Sequence, residues 1–141
     1  MRGLKRRLLG GAALFALAVG CSAKQEMAQL SGKVTFKGQP VPAGWISFTP
    51  EAGKGSVRVC QIKDGVYDSS KEGDPAGIHL GKNLVKIAGF NGKKEPLWGQ
   101  GKQIFNPVDD VIEITPGTMT KNFVIPESAG KNVQIFRTAD N

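Results

Sequence analysis

Past residue 28 the apolar side chains fall at every second position, and that period limits what the chain can fold into. Leu30, Gly32, Val34 and Phe36 point one way, and Ser31, Lys33, Thr35 and Lys37 the other. Side chains of an extended strand alternate between its faces, so this run predicts a strand with one buried face. Lys37, Gly38, Gln39 and Pro40 supply turn chemistry, and Ile46 and Phe48 continue the inward face of a second strand closed by Pro50. Trp45 points to the opposite face of that strand and is expected to cover an edge.

The same punctuation repeats downstream. Residues 56–62 form a third run, and Asp64-Gly65 predicts a hairpin into Val66 and Tyr67. Residues 68–77 are polar and turn-rich. Residues 83–90 predict a strand with Val85 and Ile87 inward and Lys86 outward, and residues 91–101 a glycine- and lysine-rich loop. Residues 111–115 and 118–125 predict the clearest hairpin, turned by Pro116-Gly117; residues 132–136 add a last strand. No stretch beyond Cys21 sustains a helical period. The expected fold is all-β, a two-sheet β-sandwich of about seven strands in which each sheet buries the other's apolar face.

The segment ahead of this domain has different chemistry. Arg2, Lys5, Arg6 and Arg7 precede an apolar run of 12 residues, 8–19, against the roughly 20 that span a bilayer as a helix. Positive charge, a short apolar core and small residues are the layout of a secretory leader, read as a signal helix. Residues 18–21 (AVGC) resemble the lipobox of bacterial lipoproteins, although Ala18 stands where that pattern prefers leucine and Leu17 lies one place earlier. The resemblance implies a leader over residues 1–20, diacylglyceryl transfer to the thiol of Cys21, a tether over 21–28, a β-domain over 29–137 and a frayed tail over 138–141. Ser22, in place of the aspartate that retains such proteins at the inner membrane, implies the outer membrane, facing the periplasm. Two or three acyl chains hold a protein far better than one, each buried methylene being worth about 0.8 kcal/mol.

Removing a 20-residue leader from 141 leaves 121 residues, one domain's worth. Four of the 19 Lys and Arg leave with it, and the net charge falls from +7 to +3. The basic balance is therefore largely an export signal, and no nucleic-acid partner is expected. With Cys21 acylated, Cys60 has no disulfide partner and reads as a small buried hydrophobe.

Residues 31–42 (SGKVTFKGQPVP) and 46–50 (ISFTP) resemble the opening of transthyretin-like, carboxypeptidase-regulatory-like domains. They are particularly similar to small lipoproteins of that type found in planctomycete bacteria. The likeness covers about residues 29–126, with Gly81-Lys82, Val85-Lys86-Ile87 and residues 114–117 falling at strands and turns. These motifs are structural; they imply the fold and specify no ligand.

Candidate chemistry is sparse. His79 is the single histidine, at a loop-to-strand junction, and reads as a solvent-facing or hydrogen-bonded structural residue sooner than a general base. One histidine without clustered cysteines excludes a conventional zinc site. Hydroxyisourate hydrolase, an enzyme of this fold type, uses several histidines and ends in Tyr-Arg-Gly-Ser, whereas residues 136–141 read FRTADN. Asp64, Asp68, Glu72 and Asp74 lack the spacing of a calcium loop, and Asp109-Asp110 reads as a strand-leading turn. Neither residues 53–56 (GKGS) nor 92–94 (GKK) complete a phosphate-binding loop. Lys93, Lys94 and Lys102 with Trp98 among them make a basic, aromatic loop suited to an anionic polymer. Lipid head groups are its other target; the bland reading folds Trp98 over the open end of the sandwich.

The expected protein is a lipid-anchored, non-catalytic envelope component without a cofactor or metal. Its partners would be the membrane and an envelope polysaccharide or protein. The competing expectation is a weak hydrolase, or an accessory subunit of an envelope enzyme, using loop carboxylates and His79. A pocket joining Asp68, Asp74 or Asp109 to His79 would favour that chemistry, and a basic surface around Trp98 would favour binding. A third expectation is a subunit that exchanges an edge strand in a larger assembly.

Overall fold

The computed structural model describes residues 26–97 and 99–134; the leader, Cys21, Trp98 and residues 135–141 lie outside the described residues. Ten strands form among them: β1 (Met27–Phe36), β2 (Gln39–Pro40), β3 (Ala43–Pro50), β4 (Arg58–Lys63), β5 (Val66–Asp68), β6 (Ile78–His79), β7 (Gly81–Phe90), β8 (Val108–Ile114), β9 (Thr118–Thr120) and β10 (Phe123–Ile125). Two 3₁₀ turns, Ser69–Lys71 and Glu127–Gly130, complete them. No helix among the described residues is long and apolar enough to cross a membrane.

The turns close as their residues dictate. Lys37 and Gly38 (φ 51° and 71°) join β1 to β2, and Asp64 and Gly65 (φ 50° and 75°) join β4 to β5. Two consecutive residues at positive φ give the turn whose twist matches that of the flanking strands.

The hydrogen-bonded path runs β10-β1-β5-β4-β3-β7-β8, with β2, β6 and β9 paired to β1 off that path. β4 and β5 share one residue pair, Lys63↔Val66, whereas β3 and β7 pair over eight residues. The sheet curls at that thin junction, giving an all-β, sandwich-like fold. One half is β4-β3-β7-β8; the other is built on β1, which carries β6, β5 and β2 on one edge and β9 and β10 on the other.

Both halves contribute to a single core. Leu30, Val34, Tyr67, Phe123 and Ile125 from the β1 half meet Ile46, Phe48, Ile62, Val85, Ile87 and Ile114 from the other. The Phe48 and Tyr67 rings lie 6.3 Å apart across the layers, and Tyr67 and Phe123 5.9 Å apart, within the range of favourable offset aromatic pairs.

Gly32 explains how β9 and β10 lie along β1. A Cβ on Gly32 would overlap the carbonyl oxygen of Lys121. That carbonyl turns inward and accepts a 2.7 Å hydrogen bond from the Tyr67 hydroxyl. The ladder breaks there, and the Asn122 side-chain oxygen accepts instead from the Lys33 N–H at 2.9 Å. Residues 118–125, expected as one strand, are therefore two.

Further differences follow from long-range pairing. The expected hairpin between residues 111–115 and 118–125 does not form. β8 pairs antiparallel with β7, and β9 and β10 pair parallel with β1. Pro116 and Gly117 carry the chain from one half to the other, because β1 has a second edge whose N–H and C=O groups need partners. Trp45 is half-buried between Ala88 and Gln61 on a central strand and covers no edge. β1 begins at Met27, two residues ahead of residue 29 where the β-domain was expected to start, and Ala28 is fully buried. Phe36 is half-buried, stacked 5.2 Å from Phe105 at one end of the core. Residues 132–134 form no strand. Asp109 and Asp110 stand within β8, whose outer edge is unpaired among the described residues.

Phe48→Ala should cost about 3–5 kcal/mol by the cavity it leaves. Tyr67→Phe should cost about 1–3 kcal/mol by stripping the Lys121 carbonyl of its donor. Urea titration of both variants checks the two values; a Tyr67→Phe change near zero would show that carbonyl to be satisfied without the hydroxyl.

Candidate functional site

Two features stand at opposite ends of β1. The far end carries the loop between Phe90 and Gln103, which form an isolated antiparallel bridge at its base. Asn91 organises it: the side-chain oxygen accepts from the N–H groups of Lys93 at 3.0 Å and Lys102 at 3.1 Å. The backbone N–H of Asn91 donates to the Lys102 carbonyl at 2.9 Å, and that of Gly92 to Gln100 at 3.0 Å. The segment is an arch on a built base. Lys93, Lys94 and Lys102 are exposed on it, and Leu97 is 89% exposed. Lys102 forms an ion pair with Glu95 at 3.6 Å, so Lys93 and Lys94 carry the arch's positive charge that is unpaired among the described residues. Trp98, expected to complete this surface, lies outside the described residues.

At the near end a groove of about 640 Å³ opens between the start of β1, the residues leading into β4 and the loop before β6. Met27, Pro75 and Ala76 give it apolar walls, Glu26 and Asp74 place carboxylates on its rim, and Ser56, Arg58 and His79 complete the lining. Arg58 binds the loop before β6. Its Nε donates to the Gly77 carbonyl at 3.1 Å, and its Nη2 donates to the Pro75 carbonyl.

His79 is neither solvent-facing nor hydrogen-bonded through its ring, contrary to the sequence expectation. It pairs with Met27, is 2% exposed, and neither ring nitrogen has a partner among the described residues. Its main chain is held by Asn83, whose side-chain N–H donates to the His79 carbonyl at 2.9 Å. A Cβ on Gly55 would stand 2.6 Å from the imidazole Nε2, so only glycine lets residues 53–56 lie across the ring. Burial, and secondarily the charge of Arg58, pushes the His79 pKa down. A neutral imidazole results, unconnected to Ser56 or Asp74 by any nucleophile–base hydrogen bond.

The other expected carboxylates are dispersed. Asp64 occupies a hairpin turn, and Glu72 accepts from the Gln61 N–H at 3.2 Å. Asp68 accepts from the Ser70 hydroxyl at 2.6 Å and from its N–H at 3.0 Å, which holds its carboxyl below the ordinary range. Asp109 pairs with Lys86 at 3.7 Å on the opposite half. Of these expected carboxylates, only Asp74 lines the groove with His79, where Glu26 joins it. No group of three His, Cys, Asp or Glu among the described residues can hold a metal ion. Burial pushes the Cys60 thiol up to about 12, so it stays protonated and unreactive.

No family model matches the chain, and no curated protein does. Among solved structures it is similar to a DUF3823 family protein from Parabacteroides merdae, at 14% identity over 70% of this chain with a TM-score of 0.39. The chain spans 45% of that protein's length, less than half.

The buried imidazole makes stability pH-dependent. An unfolded His79 takes its proton near pH 6.5, and the folded one only at lower pH. Between those points the unfolded state binds more protons, so stability is complete above pH 6.5 and declines as pH falls. Chemical denaturation between pH 7.5 and 5 should show that decline, and His79→Gln should flatten it; identical slopes in the two proteins would mean His79 titrates normally.

Proposed function

We propose that this protein is a lipid-anchored, non-catalytic component of a bacterial cell envelope whose sandwich carries a binding loop away from its membrane. Cys21 is the acylation point, residues 1–20 are the leader, and the outer membrane facing the periplasm is the location. The sandwich is of the transthyretin-like, carboxypeptidase-regulatory-like type; residues 31–42 and 46–50, which carry that resemblance, form the latter part of β1, the β1–β2 turn, β2 and most of β3.

The observation that carries this reading is the separation of tether and arch along β1. The strand begins six residues past Cys21 and runs for ten residues, about 30 Å at 3.3 Å per residue. The arch follows β7, whose Phe90 pairs with the first residue of β3, at the end remote from Met27. A domain held at residue 21 therefore turns Lys93, Lys94 and Leu97 outward. This favours an envelope polymer or protein over the head groups of its own membrane. Exposed lysines beside an apolar tip suit an anionic partner with apolar patches, and Trp98 adds a stacking surface to that set. The competing hydrolase reading has less support, because the His79 nitrogens reach neither Ser56 nor Asp74.

Cys21→Ser should move the protein from the membrane fraction to the soluble fraction, and continued pelleting would dispose of the anchor. Replacing Lys93, Lys94 and Leu97 by Ala, Ala and Ser should weaken retention on anionic envelope polysaccharide about tenfold, 1.4 kcal/mol, with the melting temperature unchanged; Trp98→Ala should act in the same direction. Undiminished retention in both variants would remove the arch from the binding surface.

A further inference from the structure

We propose that the outer face of the β4-β3-β7-β8 half stacks on the same face of a second copy. The result is a two-fold dimer whose axis runs along the strands, between β3 and β7. The inner face of this half packs on the β1 half through Ile46, Phe48, Val85 and Ile87. Alternation therefore turns Ser47 and Thr49 of β3 and Lys82 and Leu84 of β7 to the outer face, and register adds Val59 of β4 and Val111 of β8. Val57, Val59, Leu84 and Val111 are each about half exposed. A single exposed apolar residue is ordinary, but a contiguous set across one sheet marks a contact surface.

The neighbouring edge is closed to a second copy. The Asp110 carboxylate accepts from the Val111 N–H at 2.8 Å, and Asp109 and Glu113 flank it. A copy that cannot extend the sheet at β8 still finds its face open.

Charge selects how two faces meet. Lys82 stands 3.8 Å from Glu51, the residue after β3, and Lys86 stands 3.7 Å from Asp109. A contact between identical surfaces obeys one two-fold axis, and stacked faces leave two directions for it. An axis across the strands at Leu84 lays each strand over its own equivalent, reversed. Lys86 then meets Lys82 of the second copy, and Asp109 meets Glu113: every charge faces its like. An axis along the strands lays β7 over β3 and β8 over β4. Lys82 then meets Glu51 at two equivalent places, Leu84 meets Thr49, and Val111 meets Val57 and Val59. Lys86 meets Ser47 while keeping its own Asp109.

This arrangement overlaps all four strands. Strands about 4.8 Å apart, with the eight paired residues of β3 and β7 at about 3.3 Å each, give a face of about 500 Å² per copy. Two such faces reach the lower bound of a specific interface, about 1,000 Å² in total, so the dimer is reversible. An axis along the strands also keeps both Met27 ends on one side and both arches on the other, so two tethers can enter one membrane. That last consequence rests on the anchor reading; the dimer does not.

Sedimentation equilibrium of the full chain tests the proposal, with Cys21→Ser for solubility, or with the wild-type chain if Cys21 proves unacylated. A monomer–dimer equilibrium is expected between about 10 µM and 1 mM. Lys82→Glu should weaken it about tenfold, Glu51→Lys should do the same, and the two together should restore it. Restoration excludes misfolding as the cause of the single losses. Val59→Ser with Val111→Ser should weaken it by a similar factor with the circular dichroism spectrum unchanged. A chain that stays monomeric throughout that range leaves the face to a different protein and overturns the proposal. Strengthening by Lys82→Glu, the mark of an axis across the strands, overturns it too, as does a dimer indifferent to all these substitutions, which lies on another surface.

Discussion

The crossing of the chain between the two halves of this fold traces to the two edges of β1. A buried strand leaves N–H and C=O groups on both sides, and each unmatched one costs as much as a lost hydrogen bond. β5, β6 and β2 satisfy one edge and β9 and β10 the other. Serving the second edge forces the chain to cross from β8 at Pro116-Gly117. The crossing strand would collide with any side chain at position 32, and glycine there lets the Lys121 carbonyl come close enough to meet the Tyr67 hydroxyl. One absent Cβ and one phenol thus set how the last strands lie on the first.

The same strand separates the two candidate surfaces. Its first residues wall the groove with His79, and past its last residue lie Phe105 and the arch held by Asn91. Neither surface is part of the core, so the sandwich can keep them independent while fixing their distance. The arch carries exposed lysines on a base hydrogen-bonded through Asn91. Beside the groove lies a desolvated imidazole that has no hydrogen-bond partner among the described residues, a local cost that the pairing of β6 on β1 and the Asn83 hydrogen bond sustain.

Much of the architecture was legible in local patterns. The alternation at Leu30, Val34, Ile46, Phe48, Val85 and Ile87 places all six in the core, and Lys37-Gly38 and Asp64-Gly65 form the turns their residue types demand. Misreadings occurred where local chemistry is degenerate. Proline followed by glycine serves a hairpin or a crossover equally well, and only the unpaired edge of β1, distant in sequence, decides between them. Trp45 shows the face it points to but not the strand order, so its central place was hidden. Asp109 and Asp110 look like a turn because charged side chains are rare in strands, yet on a strand at the end of the sheet they face water. The groove was the least visible feature. Glu26, Arg58, Asp74 and His79 come from four separate segments, and the signal that joins them is the burial of His79, which no spacing announces. Gly55, lying against that ring, was the available hint.

β8 ends the sheet path and carries Asp109, Asp110 and Glu113, all exposed. An open strand end is a template on which a second molecule can extend the sheet, and charged side chains there oppose it. The proposed lipid anchor would raise the frequency of lateral encounters between copies and make that hazard acute. Like-charged carboxylates on every copy repel at the distance where sheets would merge, so crowded molecules can lie side by side and still remain separate.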